Sequence, residues 1–125
     1  MIIVDHISAI LTVTGIVTGL VVLQFFFPAP VLRLLSRLSI EDEAGLFFAR
    51  HWGLLAFAVG GLLVYAAGHA EAREAIMIAA AVEKAGLVAL VTLNRKKTFT
   101  QGLRPAAVFD AICVLIYAAY LCGIA

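Results

Sequence analysis

Charge is scarce in this sequence. Of its 125 residues only 14% are charged, against 64% that are hydrophobic. A soluble domain usually carries about 25% charged residues and is less than half apolar, so a small soluble helical bundle, which could not hide this much apolar surface, is not expected. The net charge is +1 and the only basic tract is Arg95-Lys96-Lys97; a nucleic-acid partner, which demands a broad basic face, is not expected. Cysteine is almost absent. Cys113 and Cys122 both fall in the last apolar segment, about 13 Å apart if that segment is helical. That is too far for a disulfide, and both read as small buried hydrophobes. The first 32 residues hold no lysine or arginine. The basic flank of a cleavable leader is therefore missing, and the first apolar segment is expected to stay as a spanning helix. Zinc-ligand spacings, HExxH, a phosphate loop and Gly-x-Ser-x-Gly are all lacking. His51 has no second ligand at its depth, so neither a metal nor a cofactor is expected.

What the chain has in abundance is apolar length. About 20 apolar residues cross a bilayer core. The pattern predicts an all-α, integral membrane, four-helix antiparallel bundle in a single domain, 1–125. The spanning helices are expected over about 7–27, 40–67, 72–94 and 104–124, with a short interfacial helix over about 31–38. Pro28 and Pro30 should end the first helix. Val31 to Leu38, apolar with Arg33 and Arg37 four apart, suits a helix lying in the interface. Ser39 and Asp42 resemble a capping box that would start the second helix near Ile40; Gly68 should stop it. The link to the third helix is tight, which makes the two an antiparallel hairpin. Residues 95–102 read as a polar loop, and Pro105 suits the first turn of the fourth helix.

Arg33, Arg37, Arg50, Arg95, Lys96, Lys97 and Arg104 all flank the first and third connections, whereas Arg73 alone flanks the second. The positive-inside rule then places both basic loops in the cytoplasm and both termini outside, as expected of a bacterial inner-membrane protein. Trp52 and Tyr65 fit interface positions near the two ends of the second helix.

Ionisable groups inside a bilayer are costly, so each requires an explanation. They fall in two layers. Glu83 and Lys84 lie near the midplane of the third helix, at the expected depth of Thr14, Thr18 and Tyr117. Glu83 shares a stripe with Ala79, Gly86 and Leu87. It is a candidate proton carrier, acid catalyst or ligand anchor, or else a protonated group hydrogen-bonded for structure. Lys84 could lay its stem along lipid or reach a carboxylate. Nearer the cytoplasm lie Arg50, His51, Asp110 and Gln24. Side chains lean toward their helix N-terminus. That rule pairs Asp110 with Arg50 or His51 and argues against Lys84. The layer is either a buried ion pair fixing helix register or the polar floor of a pocket. Asp110, Cys113, Tyr117 and Tyr120 share one face of the fourth helix, suited to a ligand-lined cavity or to interhelical hydrogen bonds. Gly15 with Gly19 and Ala56 with Gly60 are small-xxx-small pairs for close packing.

In whole-chain topology, and in the segments Phe48-Ala49-Arg50-His51-Trp52-Gly53 and Glu83-Lys84, the sequence resembles the DoxX-like and related small bacterial four-helix membrane proteins. The resemblance implies the four-helix architecture and assigns no functional residue. Small multidrug transporters use a glutamate in their first helix, where this chain has no acid. The glutathione- and eicosanoid-metabolising enzymes carry an Arg/Asn/Glu pattern that Arg50-His51-Trp52-Gly53 does not reproduce.

Three functional readings follow. The first is a non-enzymatic accessory subunit or a binder of a lipophilic small molecule, with Arg50, His51, Glu83, Lys84, Asp110 and Tyr117 as candidate ligand-binding residues. The second is a membrane-embedded acid–base enzyme of isomerase or cyclase type, with Glu83 and Asp110 as acids and Tyr117 assisting. The third is a proton-coupled transporter subunit built on Glu83. Expected partners are membrane lipid, a lipophilic small molecule, and a homo-oligomer or larger membrane complex.

Overall fold

The computed structural model describes residues 2–124. They are almost entirely helical, and four helices are long and apolar enough to cross a membrane: α1 (Ile7–Phe26), α2 (Glu43–Ala67), α3 (Ala70–Leu93) and α4 (Thr98–Leu121). This is the architecture of a multi-pass membrane protein. Successive helices run antiparallel. One end of the bundle carries the connections 27–42 and 94–97; the other carries Ile2, Ile124 and the Gly68-His69 turn. We call these the loop end and the terminal end.

The helix boundaries show how local chemistry shifts an expected element. The first span stops at Phe27, whose backbone turns out of the helical region. The short connecting helix then starts at Pro28 itself, not at Val31. Proline's missing donor costs nothing at a first helical position, so Pro28 initiates as well as terminates. The connecting helix widens to a π turn over Leu32–Ser36 and ends at Arg37, which is left-handed with φ 54°. The second span begins at Glu43, three residues later than expected. Its cap is the Asp42 carboxylate, which accepts from the Gly45 amide at 2.7 Å, rather than the Ser39 hydroxyl. A side chain at Gly45 would collide with that carboxylate and with Ile40. Gly68 caps the far end of α2, as expected. The expected loop 95–102 is mostly 3-10 helix, Thr98–Leu103, running directly into the α-helical part of α4.

Two kinds of packing hold the helices. α1 and α2 touch backbone to backbone. A side-chain carbon at Gly15 would strike the Gly60 carbonyl, one at Gly60 would strike Gly15 and Gly19, and one at Gly53 would strike Val21 and Phe25. The expected small-residue pairs thus serve close packing, as small residues do where lipid supplies no hydrophobic drive between helices. Opposite Gly53, α1 tightens to a 3-10 turn over Leu20–Val22. At the terminal end the interior is a packed cluster in which Leu11, Leu63, Ala66, Met77 and Tyr117 are all fully buried. Ser8 donates to the Ala67 carbonyl at 2.7 Å. Arg73 donates to the Ala66 and Ala67 carbonyls, both at 3.0 Å, satisfying carbonyls that the end of α2 leaves free. Tyr65 stacks on His69 beside this turn, with ring centroids 3.8 Å apart.

Candidate functional site

At mid-bundle the packing changes from side-chain contact to long polar bridges. Lys84, on α3, is 1% exposed. Its ammonium donates to Thr18 Oγ1 on α1 at 2.8 Å and to Asp110 Oδ1 on α4 at 2.9 Å. Thr18 spends its own proton on the Thr14 carbonyl, so its oxygen is free to accept from lysine. The ammonium also sits 5.0 Å from the centre of the Phe109 ring, within cation–π range. One turn along α1 toward the terminal end, Tyr117 and Thr14 are joined by a direct hydroxyl bridge between α4 and α1. Thr14 donates to the Ile10 carbonyl, which makes tyrosine the donor in that pair.

This arrangement overturns the expected pairing of Asp110. Its partner is Lys84, not Arg50 or His51. The leaning rule still operates; the register was wrong. Counted from Arg104, Asp110 lies about two turns into its helix. Counted from Thr98, where the helix begins, it lies more than three turns in. α3 and α4 are antiparallel, so their side chains lean toward one another along the axis, and a deeper Asp110 meets Lys84. The second polar layer therefore dissolves. Arg50 is exposed and donates to the Phe25 carbonyl at 2.9 Å; His51 is exposed as well. Gln24 is buried and donates to the Ala49 carbonyl at 2.8 Å, tying α1 to α2. Cys113 is buried as expected, whereas Cys122 is exposed at the end of α4.

Beside the bridge, on its loop-end side, is a cavity of about 380 Å³, within the range of small-molecule sites, about 300–1,000 Å³. All four spans and the connecting helix contribute to it. Thr18, Lys84, Asp110 and Glu83 form its polar part. Phe109, Leu87, Ala56 and Trp52 make apolar wall, so that Trp52, expected at an interface, turns into the bundle. Leu35 and Ser36 of the π turn close over one side. Val17 and Leu20 on α1 and Pro105 and Ala106 on α4 also line it and are exposed. The cavity therefore opens sideways between α1 and α4, toward the surface that faces lipid.

Glu83 lines this cavity without joining the bridge. Its Oε2 is the single buried side-chain nitrogen or oxygen among the described residues that has no hydrogen-bond partner. Buried polar atoms in folded proteins are nearly always paired, and one left over calls for an explanation. Of the sequence candidates, Glu83, Lys84 and Asp110 come together in one cavity. Tyr117 stands about two turns beyond Asp110 along α4, in the packed interior, and Arg50 and His51 lie outside. Phe109 and Trp52 join the site with no periodicity or motif to mark them as ligand-facing.

No protein-family model, curated protein or solved structure matches this chain. The site must be read from its own chemistry.

Proposed function

We propose that this protein binds a lipophilic small molecule inside the bundle, at the cavity beside Lys84, Asp110 and Glu83. The observation that carries the reading is the combination of mostly apolar walls, a few convergent polar groups and a side opening toward lipid. An accessory subunit with a purely structural interior would have no use for such a space. Mass spectrometry of the detergent-purified protein tests it. Wild type should retain a specific hydrophobic molecule, and Ala106→Phe, which fills the mouth, should lose it. A wild type that carries nothing beyond bulk lipid would sink the proposal.

A second reading, an acid–base enzyme acting on the same molecule, draws on Glu83. A carboxyl group with an unpaired oxygen beside an ammonium is placed to give or take a proton. Under this reading Glu83→Gln keeps the bound molecule but stops its conversion, which the same mass spectra would register.

We also propose kinship with the DoxX-like group and residence in a bacterial inner membrane, the loop end facing the cytoplasm. The basic residues of that end support the orientation. Cys122 supplies the check, being exposed at the terminal end while Cys113 is buried. A membrane-impermeant maleimide should label Cys122 in intact cells; protection until the cells are lysed would reverse the orientation.

A further inference from the structure

We infer that the molecule held here carries a hydrogen-bond-donating head, an amine or hydroxyl, on an apolar body, and that an anionic head is rejected. The inference rests on the cavity being a binding site and concerns which chemistry it selects. A lysine ammonium has three donors and no acceptor. Two of them are committed, to Thr18 and Asp110, which leaves one. Against that single donor stand the Glu83 carboxylate, with Oε2 unpaired, and the second oxygen of Asp110, of which only Oδ1 is engaged. Acceptors are in excess, and two acids share one base. The donors Gln24 and Ser36 also line the cavity but lie nearer the loop end than the ammonium, and Gln24 is bonded to the Ala49 carbonyl. The hydroxyls beside the ammonium do not redress the balance. Thr18 has spent its proton on a backbone carbonyl, and Tyr117 points its own at Thr14. An incoming amine or hydroxyl supplies the missing donor. An incoming carboxylate or phosphate brings only further acceptors, and it meets the Asp110 carboxylate beside the Glu83 acid in a medium of low dielectric, where like charges repel strongly.

The geometry also sets the order of the ligand's parts. The polar groups lie at the inner wall, and the exposed rim of Val17, Leu20, Pro105 and Ala106 is apolar. The head enters first and the body trails toward lipid.

The protein carries its own reporter, because its single tryptophan, Trp52, lines the cavity. Bromine quenches indole fluorescence on contact. Dodecylamine, dodecanol and dodecanoate, each brominated at the same carbon in the half of the chain nearer the head so that bromine lies within the cavity beside Trp52, would be titrated into the purified protein in detergent, with Ala106→Phe as the control for partition into the micelle. The amine and the alcohol should quench wild type at concentrations at least about tenfold lower than the carboxylate. In Glu83→Gln, which removes an acid able to pair with an amine but breaks no hydrogen bond, the amine's advantage over the carboxylate should shrink to about threefold or less. Equal or tighter quenching by the carboxylate in wild type overturns the inference and leaves the cavity reading intact. Quenching by all three probes that is unchanged in Ala106→Phe removes the cavity reading itself. The comparison of headgroups in wild type stands alone even if a variant fails to fold.

Discussion

The two ends of the bundle are built from the same kinds of residue and do opposite things. At the terminal end Leu11, Leu63, Met77 and Tyr117 interlock with nothing between them. At the loop end α1 and α2 still touch at Gly53, while α3 and α4 stand off from them around a cavity. Lys84 reaches across to α1 and α4, and it does so at the border between the two regions. The difference is not one of hydrophobicity, since apolar side chains make up most of both. It lies in how helix separation is set. Where glycine backbones meet, or medium side chains interdigitate, the helices close up and exclude any guest. Where a long charged side chain must find its partner on a neighbouring helix, the helices are held at the length of that side chain. A membrane protein can make space by choosing which residues bridge, with its spans still helical.

The sharpest way to break the comparison is to cut the border. Lys84→Met leaves Asp110 buried and unpaired, its side chain 10% exposed. Removing one partner of a buried ion pair typically costs about 3–5 kcal/mol, and this should be the largest single effect in the protein. Unfolding in detergent, followed through Trp52 emission, measures it. The double variant Lys84→Met with Asp110→Leu should recover most of that loss, because replacing the whole pair with apolar groups is close to neutral in stability. It should also let the loop end collapse, so that chain-borne bromine no longer reaches Trp52. A double variant as unstable as the single one would mean that the bridge does more than set a distance.

The difference between the ends also explains how much of the molecule the sequence made legible. Span number followed from apolar length alone, which the bilayer dictates. The glycine seam was visible as Gly15, Gly19, Ala56 and Gly60, because small residues at that spacing have one main physical use. Element ends were harder. Ser39 and Asp42 are both plausible caps, and the choice between them turns on Gly45, whose bare α-carbon makes room for the Asp42 carboxylate. The Asp110 partner was misread for a related reason. A 3-10 segment rich in threonine, glutamine and glycine looks like loop, yet its six residues, Thr98–Leu103, set the depth of everything after them. The cavity itself has no sequence signature. It depends on the distance between helices, and periodicity reports only which face of a helix turns inward.

A smaller effect sharpens the contrast without touching a charge. Leu63 is fully buried at the terminal end, whereas Leu87 lines the cavity. Truncating either to alanine removes the same atoms. In water such a change would combine lost transfer energy with a new void, about 2–5 kcal/mol in all for a buried leucine. In a membrane, lipid is as apolar as the core, so little transfer energy is lost and the packing part dominates. Leu63→Ala should therefore fall near the low end, about 2 kcal/mol, because its neighbours lose contacts that nothing replaces. Leu87 already borders open space and has fewer contacts to lose, so Leu87→Ala should cost less than half as much while enlarging the site. Two detergent unfolding curves decide the matter. Equal losses would show that the cavity is closed or filled in the folded protein, and the contrast between the ends would then be one of occupancy rather than of packing.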